Sequence, residues 1–278
     1  MTNAYASVAA LKGSAVLNIT GTGYDSQLLA LLEGVSRWID AHCNRHFYAL
    51  TASQRFDGDG GTALAVPDLI SITTLKTDDD LDRTFEQTWT TSDYLLYPLD
   101  AKPQDPAGRP FYRVLVDKSG SRRAFPPGQA TVEITGKWGY REVLADSLAD
   151  ISEGGVFSAA DTTLTVTDGA KFALGHSILI EAEQLFVAAI AGNNLTVVRG
   201  VNGTTAASHA NGLDISIYQY PEGVARACLL QAAQSWHYRG GSSPLAGGSR
   251  GAGAESGAQR EVLQLLAGYR RLPVGAGG

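Results

Sequence analysis

Apolar residues recur at steps of three and four between Asp25 and Phe47, the most regular pattern in the chain. This spacing places them along one stripe of an α-helix. The stripe consists of Leu28, Leu31, Leu32, Val35, Trp38, Ile39, His42 and Cys43. Asp25 or Ser26 can accept hydrogen bonds from the first backbone N–H groups, which lack a partner inside the helix. The segment is therefore predicted to be an amphipathic helix whose stripe packs on another element.

A second helical pattern covers residues 221–239. Pro221 suits the first turn of a helix, and Gly240–Gly241 favours its end. Its inward face contains many small residues, which permit close packing: Val224, Ala227, Cys228, Gln231, Ala232, Ser235 and Trp236. We predict that this face packs on the first stripe, with a core formed by Leu32, Val35, Trp38, Ile39, Cys228 and Trp236. Such close contact would also offset Gly34, which costs about 1 kcal/mol in a helix relative to alanine.

Between these helices, apolar and polar residues alternate in short runs separated by turn residues, which is typical of β-strands. Residues 53–140 are predicted to form an antiparallel β region. Residues 156–218 contain further short strands, whose spacing predicts a small inserted β-barrel or sandwich. The predicted fold class is α+β, in which a helical hairpin or bundle of residues 25–47 and 221–239 forms the core.

The chain ends with a segment of different composition. Residues 240–258, GGSSPLAGGSRGAGAESGA, are typical of a flexible linker. Residues 259–272 place Val262, Leu265, Leu266, Tyr269 and Leu272 on one face of a short helix. Because such a helix is marginal by itself, we expect it to order against a partner or the protein's own neighbour. The predicted organisation is a body of 1–140 plus 219–239, an inserted domain of 156–218, and a linker with an arm over 240–278.

Composition and charge exclude several classes of protein. Of 278 residues, 44% are hydrophobic, which suffices for a folded core. The net charge of -6 argues against a protein that wraps nucleic acid electrostatically. The longest apolar run is too short to span a membrane, and no signal peptide is predicted. Cys43 and Cys228 lie in helical apolar patterns and predict buried free thiols, with a disulfide as the alternative.

Three groups of residues have types that bind metals. His42 and His46 have the i,i+4 spacing of helical zinc ligands, but the sequence offers no clear third ligand. Asp57 and Asp59 lie in a DGDG run that lacks the later acidic positions of an EF-hand, so a hairpin turn is favoured. The acidic residues within 78–82 are expected to form a solvated loop. We therefore predict no metal site and no cofactor.

Ser208, His209 and Asp214 are the residue types of a hydrolase triad. Adjacent serine and histidine side chains in a loop do not easily align base and nucleophile, and no G-x-S-x-G motif is present. We therefore predict that the protein is not an enzyme. A hydrolase that uses Ser208 and His209 stays the alternative, and it predicts that activity is lost in His209→Ala.

Five segments follow one another in an order that resembles a known family. They are SRxIDxxCxRxF within Leu31–Phe47, the DG-rich and LxVP turns of Asp57–Pro67, FPPG at Phe125–Gly128, VEITGKWGY at Val132–Tyr140, and a returning helix at Pro221–Arg239. This order is similar to the head–tail connector, or adaptor, family of tailed bacteriophages and gene transfer agents. In that family the WGY strand leads almost directly into the returning helix, so residues 156–218 look like an insertion. Within them, RGVNGTTAASHANG at 199–212 resembles a short β module of phage structural proteins, which implies no activity.

The resemblance implies a structural virion protein of the neck, located at the head–tail interface after assembly in the bacterial host cytoplasm. Similar proteins form a ring, usually of twelve copies, beneath the portal protein. They extend the channel through which genomic DNA passes without sequence-specific binding, and they present a surface to a downstream stopper or tail-completion protein. Their C-terminal segment commonly reaches the portal, so the candidate portal-binding residues are Arg260, Val262, Leu265, Leu266, Tyr269 and Arg270.

The two β units and the many tyrosine and tryptophan residues also fit a different class of protein. The alternative function is a carbohydrate- or receptor-binding structural module of a phage tail or baseplate. The location of the protein in the particle separates the two interpretations, because an adaptor lies at the head–tail vertex and the alternative lies at the periphery.

Overall fold

The computed structural model describes residues 2–13, 17–239 and 257–271. The chain forms two compact units. One consists of Phe47–Val143, and the other combines Met1–His46 with Leu144–Gly278. Each unit contains one six-stranded antiparallel sheet. No helix of the described ranges is long and apolar enough to cross a membrane.

The unit Phe47–Val143 is a sheet with long strands at its centre. Its strands are β1 (Leu50–Gly58), β2 (Ala63–Thr77), β3 (Gln87–Trp89), β4 (Tyr94–Tyr97), β5 (Phe111–Val116) and β6 (Gly128–Trp138). They follow the order β1-β6-β2-β5-β4, and β3 pairs with the end of β2. Because residues alternate between the faces of a strand, Leu64 and Val66 are buried while Ala63 and Ala65 are exposed.

Tryptophan side chains fill the core of this sheet. Trp138 at the end of β6 is fully buried, and its indole N–H donates to the carbonyl of Ala52 in β1 at 2.9 Å. Trp89 stacks on Phe125, with their ring centroids 4.9 Å apart. Such contacts bury large apolar areas and satisfy the polar N–H at the same time.

Within the described residues, the other unit contains four α-helices and the second sheet. The helices are α1 (Val8–Lys12), α2 (Asp25–Cys43), α3 (Glu222–Arg239) and α4 (Gly257–Ala267). The strands are β7 (Val143–Asp150), β8 (Thr163–Thr165), β9 (Ser177–Ile180), β10 (Glu183–Ala191), β11 (Asn194–Val198) and β12 (Asp214–Gln219), and two short 3-10 turns lie at Gly169–Lys171 and Val201–Gly203. The strand order is β7-β12-β9-β10-β11-β8, and these strands enclose a separate apolar core.

Helices α2 and α3 pack against each other in antiparallel orientation. Ser36 of α2 lies 3.6 Å from the Sγ of Cys228 in α3, and Tyr24 at the start of α2 makes an edge contact with Trp236 near the end of α3. Leu32, Val35, Ile39 and Cys228 are buried. Trp38 is 36% exposed and stacks on His42, while Trp236 is half-buried. Both cysteines are free and buried, as the apolar patterns predicted.

Gly34 does not have the packing role that was predicted. A Cβ placed on it would meet no atom of the described residues within 4 Å, so close approach of another helix does not explain this glycine. Helix α2 also ends earlier than Phe47. Asn44 adopts a left-handed conformation with φ of 52° and caps the helix through its N–H to the carbonyl of Ala41.

The predicted α+β fold with a helical hairpin or bundle of residues 25–47 and 221–239 as its core is wrong. The described residues are mostly β, with two antiparallel sheets of six strands and a few helices. Both extended apolar clusters of the sheets consist of strand and loop residues. The inserted strands are not a closed barrel either. The end strands β7 and β8 do not pair along their length, and an isolated bridge lies just beyond them, between Ile151 and Val166.

Candidate functional site

The C-terminal helix α4 packs on α3 and carries four of the six predicted portal-binding residues. The other two, Tyr269 and Arg270, follow its last residue, Ala267. Val262 and Leu266 are fully buried in this packing. The other four candidates are more accessible: Leu265 and Tyr269 are half-buried, and Arg260 and Arg270 are exposed. Leu272 and residues 240–256, which include most of the predicted linker, lie outside the described residues. The structure therefore places four of the six candidates on α4 and two just beyond its end, and it directs Val262 and Leu266 into the protein itself.

A glycine in α3 allows α4 to come close. A Cβ at Gly223 would lie 3.3 Å from a ring carbon of Tyr269 and 3.5 Å from the carbonyl oxygen of Leu265. The first of these distances is tighter than ordinary contact, so the Tyr269 ring would have to shift by a few tenths of an ångström to accept a larger residue. Gly223 is a site residue that the sequence pattern did not single out, because its neighbour in space follows it by more than forty residues.

Two polar contacts fix the position of α4. The guanidinium of Arg226 donates to Glu261 at 2.6 Å and 3.1 Å, and both side chains are largely exposed. Such surface pairs contribute about 0–1 kcal/mol. The N–H of Arg271 donates to the carbonyl oxygen of Cys43 at 2.8 Å, which satisfies one of the unpaired carbonyls at the end of α2. We call Gly223, Arg226 and the Cys43 carbonyl the α4-binding face.

A buried ionic cluster connects β10 with the loop after β11. Glu183 and His209 are each 1% exposed, and Arg199 donates two hydrogen bonds to the carboxylate of Glu183 at 2.7 Å and 2.8 Å. The ring of Phe157 lies 4.1 Å from the same guanidinium. Arg199 also donates to the carbonyls of Ser158, Asp161 and Ala207. The guanidinium thus closes the loop over the sheet.

Glu183 is held in its ionised form. Burial by itself raises the pKa of this carboxyl, but hydrogen bonds from Arg199, the Ala207 N–H, His209 and the Gly200 N–H outweigh burial and lower the pKa to about 2. The N–H donors lie at 2.9 Å and 3.0 Å. A carboxylate that accepts this many hydrogen bonds is a structural anchor, because its oxygens are already engaged.

The structure does not assemble the hydrolase triad. The two ring nitrogens of His209 lie 2.7 Å from Glu181 and 2.8 Å from Glu183. The hydroxyl of Ser208 instead accepts from the N–H of Ala159 at 3.3 Å. With both nitrogens of its neighbour engaged by carboxylates, Ser208 has no base beside it.

Four acidic side chains converge in the loop between β2 and β3. The carboxylates of Asp78, Asp80, Asp82 and Glu86 offer oxygens within 4.8 Å of one another, the ligand type that divalent cations such as Ca²⁺ prefer. Asp78 is buried, contrary to the expected solvated loop, and accepts from the N–H groups of Leu81 and Arg83, both at 2.8 Å. These bonds account for Asp78 without an ion.

The other predicted metal positions are explained by local structure. Cys43 is the last residue of α2, so His46 lies beyond the helix and the helical i,i+4 relation to His42 is lost. Burial and the charge of Arg270 lower the pKa of His42. Asp57 accepts from the N–H of Ala130 in β6, and Asp59 accepts from the N–H of Gly61. The predicted hairpin turn is wrong, because β1 and β2 on either side of it do not pair with each other and β6 lies between them.

Amide side chains near the N-terminus form a network that the sequence did not reveal. Asn3 and Asn202 are buried and exchange hydrogen bonds at 2.5 Å and 3.0 Å. Asn202 also donates to Gln184, and Ser177 donates to Asn3. The hydroxyl of Tyr5 donates to Asp40 of α2. Burial raises the pKa of Asp40 to about 6, and the charge of Arg37 and the hydrogen bond from Tyr5 oppose this rise. The N-terminal segment thus fastens helices and sheet within its unit.

No protein-family model and no curated protein sequence matches the chain. Among solved structures, one similar chain comes from the neck of an empty gene transfer agent particle computed with C6 symmetry, with 16% identity and a TM-score of 0.42. Another comes from the virion of a native gene transfer agent particle, with 14% identity and a TM-score of 0.43. In both cases the match covers 98% of this chain and 91% of the other chain. Gene transfer agents are the class of particle that the sequence resemblance predicts, but a TM-score below 0.5 does not establish a common fold.

Proposed function

We propose that the protein is a head–tail adaptor, a structural virion protein that forms an oligomeric ring under the portal. The ring extends the DNA channel and presents an attachment surface to the next neck or tail protein. The net charge of -6 suits a channel through which DNA slides without sticking. No catalytic residue, metal or cofactor is needed for this role.

The observation that carries the proposal is the position of the segment that most resembles an adaptor. Within SRxIDxxCxRxF, the side chains of Ser36, Ile39 and Cys43 are fully buried. Ser36 accepts the backbone N–H of Tyr5 and lies against Cys228 of the returning helix. The first and last segments of the resemblance, far apart in the chain, are therefore in direct contact. This arrangement supports a scaffold role for the motif.

The arm offers a surface to the portal through its exposed side chains. Arg260 and Arg270 are exposed at the two ends of the α4 segment, and arginine is well suited to bind acidic partner surfaces. Val262 and Leu266 instead hold α4 on α3. We infer that the arginines contact the portal and that the apolar residues position them.

Electron microscopy of the purified protein, alone and with its portal, tests the proposal. We expect rings that bind coaxially to the portal, and labelled particles should show the protein at the head–tail vertex. A chain truncated before residue 259 should keep the circular dichroism of the body but no longer co-sediment with the portal. A label on fibres or the baseplate would instead support the carbohydrate- or receptor-binding alternative.

Substitution of Arg260 and Arg270 together by alanine tests the arm separately. We expect weaker portal binding than in a matched control, Arg55→Ala, which removes an exposed arginine of the other unit. Equal binding of the two variants would exclude the arginines as portal contacts.

A further inference from the structure

The contact that holds α4 joins it to α3 and to the end of α2. It includes two fully buried side chains, Val262 and Leu266, the exposed pair Arg226–Glu261, the close approach of Tyr269 to Gly223 and one backbone hydrogen bond to Cys43. An eleven-residue helix is marginal in water by itself. Helix α4 therefore needs an α4-binding face, but nothing in the contact requires that this face belong to the same copy of the chain.

The geometry of the contact between α3 and α4 sets the minimum number of residues that can connect the two helices within one copy. Gly223 lies against Leu265 and Tyr269, and Arg226 pairs with Glu261, so α3 and α4 run antiparallel. From Arg226 to the end of α3 the helix rises about 20 Å, and from Glu261 back to the start of α4 it rises about 6 Å. The two ends are thus separated by roughly 14 Å along the axis, which five or six extended residues would span.

The segment between the two helices is much longer than five or six residues. Residues 240–256 separate α3 from α4, and a segment of this length reaches roughly 55–60 Å when extended. This reach exceeds the diameter of a small domain, about 30 Å. The additional length adds only about 1 kcal/mol of loop-closure entropy to an internal contact. It is not required for packing within one copy, and it allows α4 to reach the α4-binding face of an adjacent copy.

We propose that in the assembled protein α4 packs on the α4-binding face of the neighbouring copy. This inference rests on the proposed ring, in which every copy has a neighbour on either side. Each copy gives its helix to one neighbour and receives a helix from the other, so the same bonds form as in the single chain and no face stays empty. The exchange links neighbouring copies through the same contact that α4 makes in the single chain, so no additional interface is required.

Cysteine substitutions at the exposed ion pair test the exchange. The side chains of Arg226 and Glu261 are 62% and 42% exposed, so cysteines there are accessible to reagent. The native Cys43 and Cys228 are buried, and burial raises their pKa to about 11 and about 12, so neither thiol competes. The full-length chain carrying both R226C and E261C is assembled, sized, and treated with a short bismaleimide.

We expect a ladder of covalent multimers on a denaturing gel, since each cross-link joins two copies. Co-assembly of chains carrying R226C alone with chains carrying E261C alone should give a cross-linked heterodimer. The matched control carries R55C and E133C, which replace an ion pair across β1 and β6 and should cross-link only within one chain.

Two outcomes overturn the exchange, and they are distinguishable. An oligomer whose R226C/E261C chains run as internally cross-linked monomers contradicts the exchange and leaves the proposed ring intact. A protein that sediments as a monomer, with and without portal, contradicts the proposed function and the exchange together. A variant that lacks residues 243–253 provides a second measurement. Its shortened connection lets α4 reach only the α4-binding face of its own copy. We therefore expect its oligomer to dissociate on dilution at a concentration at least tenfold higher.

Discussion

Two arginine–glutamate pairs in the same unit have the same chemistry and opposite surroundings. Arg199 and Glu183 approach to 2.7 Å with side chains that are 8% and 1% exposed. Arg226 and Glu261 approach to 2.6 Å with side chains that are 62% and 42% exposed. The distances are nearly equal, so burial decides what each pair does. The buried pair fixes a loop on its sheet, while the exposed pair orients a helix that remains free to be exchanged.

Substitution of the buried arginine should have the largest effect. Arg199→Met removes the guanidinium and leaves the buried carboxylate of Glu183 without its arginine partner, so we expect the free energy of unfolding to fall by about 3–5 kcal/mol. Urea unfolding followed by circular dichroism measures it. Arg55→Met, which breaks the more exposed pair with Glu133, is the matched control and should lose about 0–1 kcal/mol. Equal losses in the two variants would show that burial is not decisive.

The pKa of Glu183 predicts how the buried pair responds to acid. Its pKa is lowered from 4.5 to about 2, so its contribution is fully present above about pH 4.5 and is lost as the pH falls through 2. A shift of this size corresponds to roughly 3 kcal/mol. Between pH 5 and pH 2, the free energy of unfolding should therefore fall further in the unsubstituted protein than in Glu183→Gln.

Asp40 does not obscure this comparison. Its pKa is raised to about 6, so its contribution is present below its ordinary pKa near 3.8 and is lost as the pH rises through 6. Both proteins contain Asp40, and its effect cancels in the difference between them. Parallel pH profiles of the two proteins would contradict the anchoring role of Glu183.

The apolar contact of α4 should matter more than its ion pair. Leu266→Ala opens a cavity on a fully buried side chain, which typically costs 2–5 kcal/mol. We expect this loss in the docking of α4, seen as faster amide hydrogen exchange over 257–271, with unchanged exchange in the sheet of Phe47–Val143. Leu265→Ala, at a half-buried position of the same helix, should give a smaller change. Faster exchange throughout the sheet would contradict a self-contained contact.

The sequence predicted the helices better than the fold. The stripe of α2 and the small-residue face of α3 are strong local patterns, and their packing through Ser36 and Cys228 follows from them. The strands do not have comparably strong local patterns, since strands such as β8 have only three residues. Strand β7 was not predicted at all, because Leu144 and Leu148 face solvent and the usual alternation is reversed.

The candidate site was predicted only in part, because it depends on contacts between distant residues. The apolar face of α4 is visible in the sequence, but the partner of that face is not. Neither the closeness of Gly223 to Tyr269 nor the pairing of Glu183 with Arg199 follows from periodicity, since both depend on how elements are brought together. Glu183 begins β10 and Arg199 directly follows β11, but charged residues at strand ends are common and do not by themselves reveal a buried cluster. The predicted division into body, insertion and arm stays a prediction.

Substitution of the exposed arginine should have the smallest effect on stability and is the sharpest probe of what α4 does. Arg226→Ala removes an ion pair whose side chains are mostly in water, so we expect a loss of about 0–1 kcal/mol in the free energy of unfolding. Salt screens such a pair, and the difference from the unsubstituted protein should vanish near 1 M salt. If α4 is exchanged between copies, the same small change recurs at every contact of the ring. In low salt, the oligomer of Arg226→Ala should then dissociate at a higher concentration than that of the unsubstituted protein, while the single chain unfolds almost as before. If the contact of α4 is internal, the concentration of dissociation should not change.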